Sequence, residues 1–223
     1  MKSLFFLTLP FIILACTDPA SQVYSNQASL TSEEGLFLDS LVMPDGFHME
    51  VYGRVDNARS MAMSPDGTLF VGNKANGSVY ALQDRNNDMK ADTLYTIAKD
   101  LIMPNGIAFK DGALYVAEIN KLWRYDAIED NLNDPKATLI YDDFPEDSHH
   151  GWKYIAFGPD GKLYVPVGAP CNVCETKDDT YYASIISMDA DGANRQIVAK
   201  GVRNTVGLTW HPITGEMWFT DNG

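Results

Sequence analysis

At 223 residues and 45% hydrophobic composition, the chain has the make-up of an ordinary globular protein with a sizeable core, which excludes a disordered polymer or a wholly membrane-embedded one. Its 30 acidic and 17 basic residues give a formal net charge of −13, with acids spread from Glu33 to Asp221. Such a charge opposes attraction to a phosphate backbone, so no nucleic-acid partner is expected.

Residues 1–15 carry Lys2 and then an apolar run, too short to span a bilayer but suited to the core of an export signal. The run ends Ile13-Leu14-Ala15-Cys16, which resembles a bacterial lipobox, so Cys16 is the expected lipid-bearing N-terminus of a periplasmic or surface-exposed lipoprotein. A plain signal peptide with an incidental cysteine is the alternative. Residues 16–43, rich in Ser, Gln and Asn at their start, read as a flexible tether, and 44–223 as the folded domain.

Four segments of that domain share one design, at residues 60–71, 106–116, 154–165 and 206–219. In each, branched and aromatic residues flank an Asp-Gly or Thr-Gly corner, the pattern of a β-hairpin whose glycine takes the positive φ of the turn. The corner glycines Gly67, Gly112, Gly161 and Gly215 recur about every 50 residues, a period that suits one four-stranded blade. Residues 77–82 and 121–125 read as outer strands. The fold expected is all-β, a β-propeller, with a β-sandwich as the competing architecture. Because the fourth repeat stops shortly after its second strand and a propeller closes its ring, these residues are expected to form the N-terminal part of a longer protein.

Between the first two repeats lies Asp84-Arg85-Asn86-Asn87-Asp88-Met89-Lys90-Ala91-Asp92. Oxygen side chains at Asp84, Asn86, Asp88 and Asp92 suit a hard cation such as calcium, although Met89 and Tyr95 depart from the EF-hand pattern; a solvated acidic loop is the alternative. Cys171 and Cys174 are expected to form a small disulfide in an oxidising compartment. Glu175 stands where c-type haem attachment needs His, and no second ligand pair points to zinc.

Three stretches carry a family likeness: residues 104–118 with Pro104-Asn105-Gly106-Ile107-Ala108-Phe109, residues 149–174 with His149-His150-Gly151-Trp152 leading to Gly158-Pro159-Asp160-Gly161, and residues 201–223 with Gly201-Val202-Arg203-Asn204. Through them the chain, from about residue 44 onward, resembles the sorbosone/glucose dehydrogenase family of six-bladed propellers. The resemblance implies pyrroloquinoline quinone (PQQ) and calcium as cofactors, a sugar or sugar aldehyde as substrate, and a respiratory electron acceptor. It implies that His150 is the catalytic base, a task suited to an imidazole near neutral pH, and that Arg203 and Asn204 touch the quinone. It further implies that Gly223 offers a carbonyl to the cofactor's calcium. His149 matches no catalytic position, and Ala169 stands where the glucose enzymes have an acid that orients the histidine. Two other functions fit a propeller: a metal-dependent lactone hydrolase of the gluconolactonase type, and a non-catalytic module binding carbohydrate or protein.

Overall fold

A computed structural model describes residues 36, 38–174 and 181–223; the export signal and Cys16 lie outside them. Three four-stranded antiparallel sheets follow one another, each a meander whose spatial order is its sequence order. The first contains β1 (Ala58–Met63), β2 (Leu69–Asn73), β3 (Val79–Gln83) and β4 (Thr93–Ala98). The second contains β5 (Gly106–Lys110), β6 (Ala113–Ala117), β7 (Leu122–Tyr125) and β8 (Ala137–Tyr141). The third contains β9 (Ala156–Phe157), β10 (Leu163–Val167), β11 (Ser184–Met188) and β12 (Gln196–Lys200). A last pair, β13 (Leu208–Trp210) and β14 (Met217–Phe219), begins a fourth sheet. These are β-propeller blades, and the first strands of successive blades lie side by side, β5 between β1 and β9.

Each repeat forms the first hairpin of its blade. The four corner glycines all have positive φ, between 72° and 89°, as the hairpins require. The turns fall into two designs. Lys110 pairs directly with Ala113, so Asp111 and Gly112 alone make the second corner, both left-handed, as an Asp-Gly two-residue turn demands. In the first and third blades a proline precedes the Asp-Gly, and the corner is longer: Ser64 N–H donates to Thr68 O and Gly158 N–H to Lys162 O, each at 2.9 Å.

Blades stack face to face, so a middle strand is buried on both sides and its alternation divides two cores rather than core from solvent. On β6, Leu114 and Val116 join Phe70, Val79, Ala81 and Ile97 of the first blade. Ala113, Tyr115 and Ala117 turn the other way, to Leu163, Val165, Ile186 and Met188 of the third. Complete burial of each such Leu, Ile, Val or Met side chain contributes roughly 1.5–3 kcal/mol. Before β1, Tyr52 and Val55 cover the outer face of the first blade against Val71, Leu82 and Ala91.

Candidate functional site

In an antiparallel meander, the segment leading into a first strand shares an end with the loop leaving the second strand, because the second runs back to where the first began. His150 precedes β9, residues 168–174 follow β10, and Arg203 precedes β13, so all three converge on one end of neighbouring blades.

Hydrogen bonds tie them together. His150 Nδ1 lies 2.9 Å from the Ala169 carbonyl oxygen. A carbonyl only accepts, so Nδ1 carries a proton, and in the neutral tautomer Nε2 is the acceptor. The Ala169 N–H in turn donates to Arg203 O at 2.8 Å. A main-chain carbonyl thus orients the imidazole, where the side chain of residue 169, an alanine, offers no acid. His150 itself is left-handed, with φ 52°. Gly168 makes room for it, since a Cβ at 168 would overlap His150 Cβ and its carbonyl oxygen.

The Arg203 guanidinium donates from Nη1 to Asn172 O at 3.3 Å and from Nε and Nη2 to Asn222 O. Among the described residues it joins no ion pair, and backbone carbonyls direct it. The Asp221 carboxylate clamps the backbone instead, accepting from Arg203 N at 3.2 Å and from Asn204 N at 2.7 Å. Asn222 N–H closes the loop on Asn204 O. Asn172 also meets His149, whose Nε2 lies 3.1 Å from Asn172 Oδ1, and Asn172 is held between Cys171 and Cys174, which are joined as a disulfide. Next to Asn204, the buried Thr205 Oγ1 has no hydrogen-bond partner among the described residues.

Sequence reasoning did not single out Lys153. It is 1% exposed, donates from Nζ to the Gly151 carbonyl at 2.6 Å, and receives at its own carbonyl the Asn105 side-chain amide, also at 2.6 Å. These bonds pin the segment between His150 and β9. Burial pushes the Lys153 amine down to about 7.

The acidic loop behaves differently from a formed cation site. Asp84 accepts from the amides of Asp88 and Met89, and Asp92 from the amide of Arg85. Asn86 Nδ2 lies between Asp88 Oδ2, at 3.2 Å, and Asp92 Oδ1, at 3.4 Å. Thus three of the four expected ligands meet, but no group of three or more His, Cys, Asp or Glu side chains among the described residues stands at metal-holding spacing. Gly223, expected at the cofactor's own calcium and not at this loop, sits beside Asp221, the residue that clamps the Arg203 backbone.

A histidine ring, an arginine with unspent donors and a buried hydroxyl without a partner among the described residues thus stand at one end of neighbouring propeller blades. The chain belongs to the family described as a domain of unknown function (DUF7133), which matches residues 35–223. It is 28% identical over 212 residues to an uncharacterized protein of Borreliella burgdorferi, covering 88% of this chain and 53% of that protein; the chain thus spans about half the length of the curated relative it matches. Among solved structures it is similar to the calcium structure of the Trichoderma reesei carbohydrate-active enzyme of family AA12, with TM-score 0.61 and 18% identity over 74% of this chain and 46% of that one. It is also similar to the PQQ-bound aldose sugar dehydrogenase of Streptomyces coelicolor, with TM-score 0.59 and 18% identity over 75% of this chain and 57% of that one. At these identities the likeness speaks to the fold.

Proposed function

We propose that the intact protein is a PQQ-dependent oxidoreductase acting on a sugar or sugar aldehyde, with His150 as base and Arg203 and Asn204 toward the quinone. The observation that carries this reading is the main-chain relay from His150 Nδ1 through Ala169 to Arg203, which joins an aligned imidazole to a fixed cation. In this reading His150 Nε2 takes the proton from the sugar hydroxyl. Arg203 supplies positive charge where an oxygen becomes electron-rich, and its ties to Asn172 and Asn222 keep that charge preorganised. Asp221 and the disulfide hold the two segments that bear these groups. PQQ held beside these groups would supply the two-electron acceptor for the hydride on the carbon that bears the deprotonated oxygen.

Calcium at Asp84, Asn86, Asp88 and Asp92 belongs to the same proposal, supported by the oxygen-donor chemistry of the loop. So does attachment to a membrane by a lipid on Cys16, supported by the Ile13-Leu14-Ala15-Cys16 pattern. The test is to reconstitute the intact protein with quinone and calcium and follow dye reduction by aldoses. Turnover that depends on added quinone is expected; a protein that neither binds the quinone nor reduces dye contradicts the reading.

A further inference from the structure

Toward the first blade, away from Arg203, the turn that carries His150 meets two more cations. Arg59 Cζ stands 4.5 Å and Lys74 Nζ 5.3 Å from the ring centroid of Trp152, two residues after His150. Neither contact is a passive consequence of strand geometry. Arg59 lies where β1 departs from regular register with β2, between Ala58 and Met61, and such bulges re-aim side chains. Lys74 follows β2 on a loop whose amides, at Lys74 and Ala75, both donate to Asn57 Oδ1, at 3.1 and 2.9 Å. Asn57 is itself left-handed, with φ 55°.

Two positive groups directed at one indole repel each other, and in a chain of net charge −13 carboxylates are plentiful. Yet among the described residues no carboxylate forms an ion pair with Arg59 or Lys74. Arg59 is exposed and Lys74 half-buried. An anion seated there would relieve the repulsion and receive charge-assisted hydrogen bonds. The His150 turn therefore lies between two cationic positions, Arg203 toward the fourth blade and the Arg59–Lys74 pair toward the first. A base must reach the reductant while the cofactor sits alongside, which gives the Arg203 side to the quinone and the Trp152 side to the sugar.

We infer that Arg59, Lys74 and Trp152 form a carboxylate-binding subsite beside His150, and that the sugar it admits is an acidic one of the hexuronate class. This rests on the sugar-oxidising reading for the nature of the ligand, though the subsite is testable without turnover. Glucuronate and glucose are titrated calorimetrically into the intact protein free of quinone, at two salt concentrations. Glucuronate is expected to bind roughly tenfold or more tightly than glucose, with an affinity that falls as salt rises. Arg59→Gln and Lys74→Gln should each weaken glucuronate about tenfold while leaving glucose and PQQ dissociation constants within about twofold, and Arg59→Lys should retain most of the preference. Equal binding of the two sugars, or variants with unchanged glucuronate affinity, would overturn the inference. So would variants that weaken PQQ instead, since the carboxylates recognised would then be the cofactor's. If wild-type protein prefers glucuronate but never binds PQQ, the quinone reading fails and the subsite stands.

Discussion

Lys153 leads into the third blade with its buried ammonium 5.5 Å from the Phe144 ring and donating to the Gly151 carbonyl. Burial lowers its folded value to about 7, against an ordinary value of 10.5. Between those limits the unfolded chain binds more protons than the folded one, so stability rises with pH from about 7 upward and is reduced below it. Tyr125 and Tyr141, both pushed up by burial, work in the opposite sense above about 10, which confines the rise to roughly pH 7–10. Urea titrations of the intact protein should show this rise, on the order of a few kcal/mol. Lys153→Met, which keeps the length and removes the charge, should flatten it; an unchanged pH profile would show that another group is responsible. Nothing in the sequence marks this lysine, because its burial follows from the third blade folding its first strand inward, a long-range result. The Ala169 carbonyl was equally hidden, since a backbone atom leaves no signature in residue type. Arg59 and Lys74 flank one hairpin, but Trp152 lies far along the chain, so their meeting is a property of the blades' arrangement.

At the scale of elements, the hairpins were the most legible feature. Corner glycine, flanking branched residues and period are local causes, and each hairpin formed where they coincide. The two turn designs were less visible, because Asp-Gly reads alike until strand register decides whether Pro65 and Pro159 belong to the corner. The disulfide was also local, three residues apart. The acidic loop was read for its composition, and the structure adds that its carboxylates are occupied by loop amides, which hold the turn without an ion. Calcium, by the proposal above, competes with those amides and stabilises the folded state by mass action. The melting temperature of the intact protein should rise by several degrees in millimolar calcium, and Asp88→Ala should abolish most of that rise. Equal shifts in both proteins would place any calcium elsewhere.

For the whole molecule, equivalent offsets before successive first strands put His150 and Arg203 at one end, and the relay through Ala169 shows them linked by main chain. The proximity was legible because blade symmetry repeats positions; what each group does is a matter of chemistry that the fold alone leaves open. Quinone binding and quinone reduction are separable in the intact protein. Spectral titration with PQQ, followed by addition of an oxidisable sugar, measures both in one cuvette. His150→Ala is predicted to bind the quinone with nearly wild-type affinity and to reduce it on the order of a hundredfold or more slowly, whereas Arg203→Ala should weaken binding as well. Reduction at the wild-type rate by the His150→Ala protein would contradict the central claim.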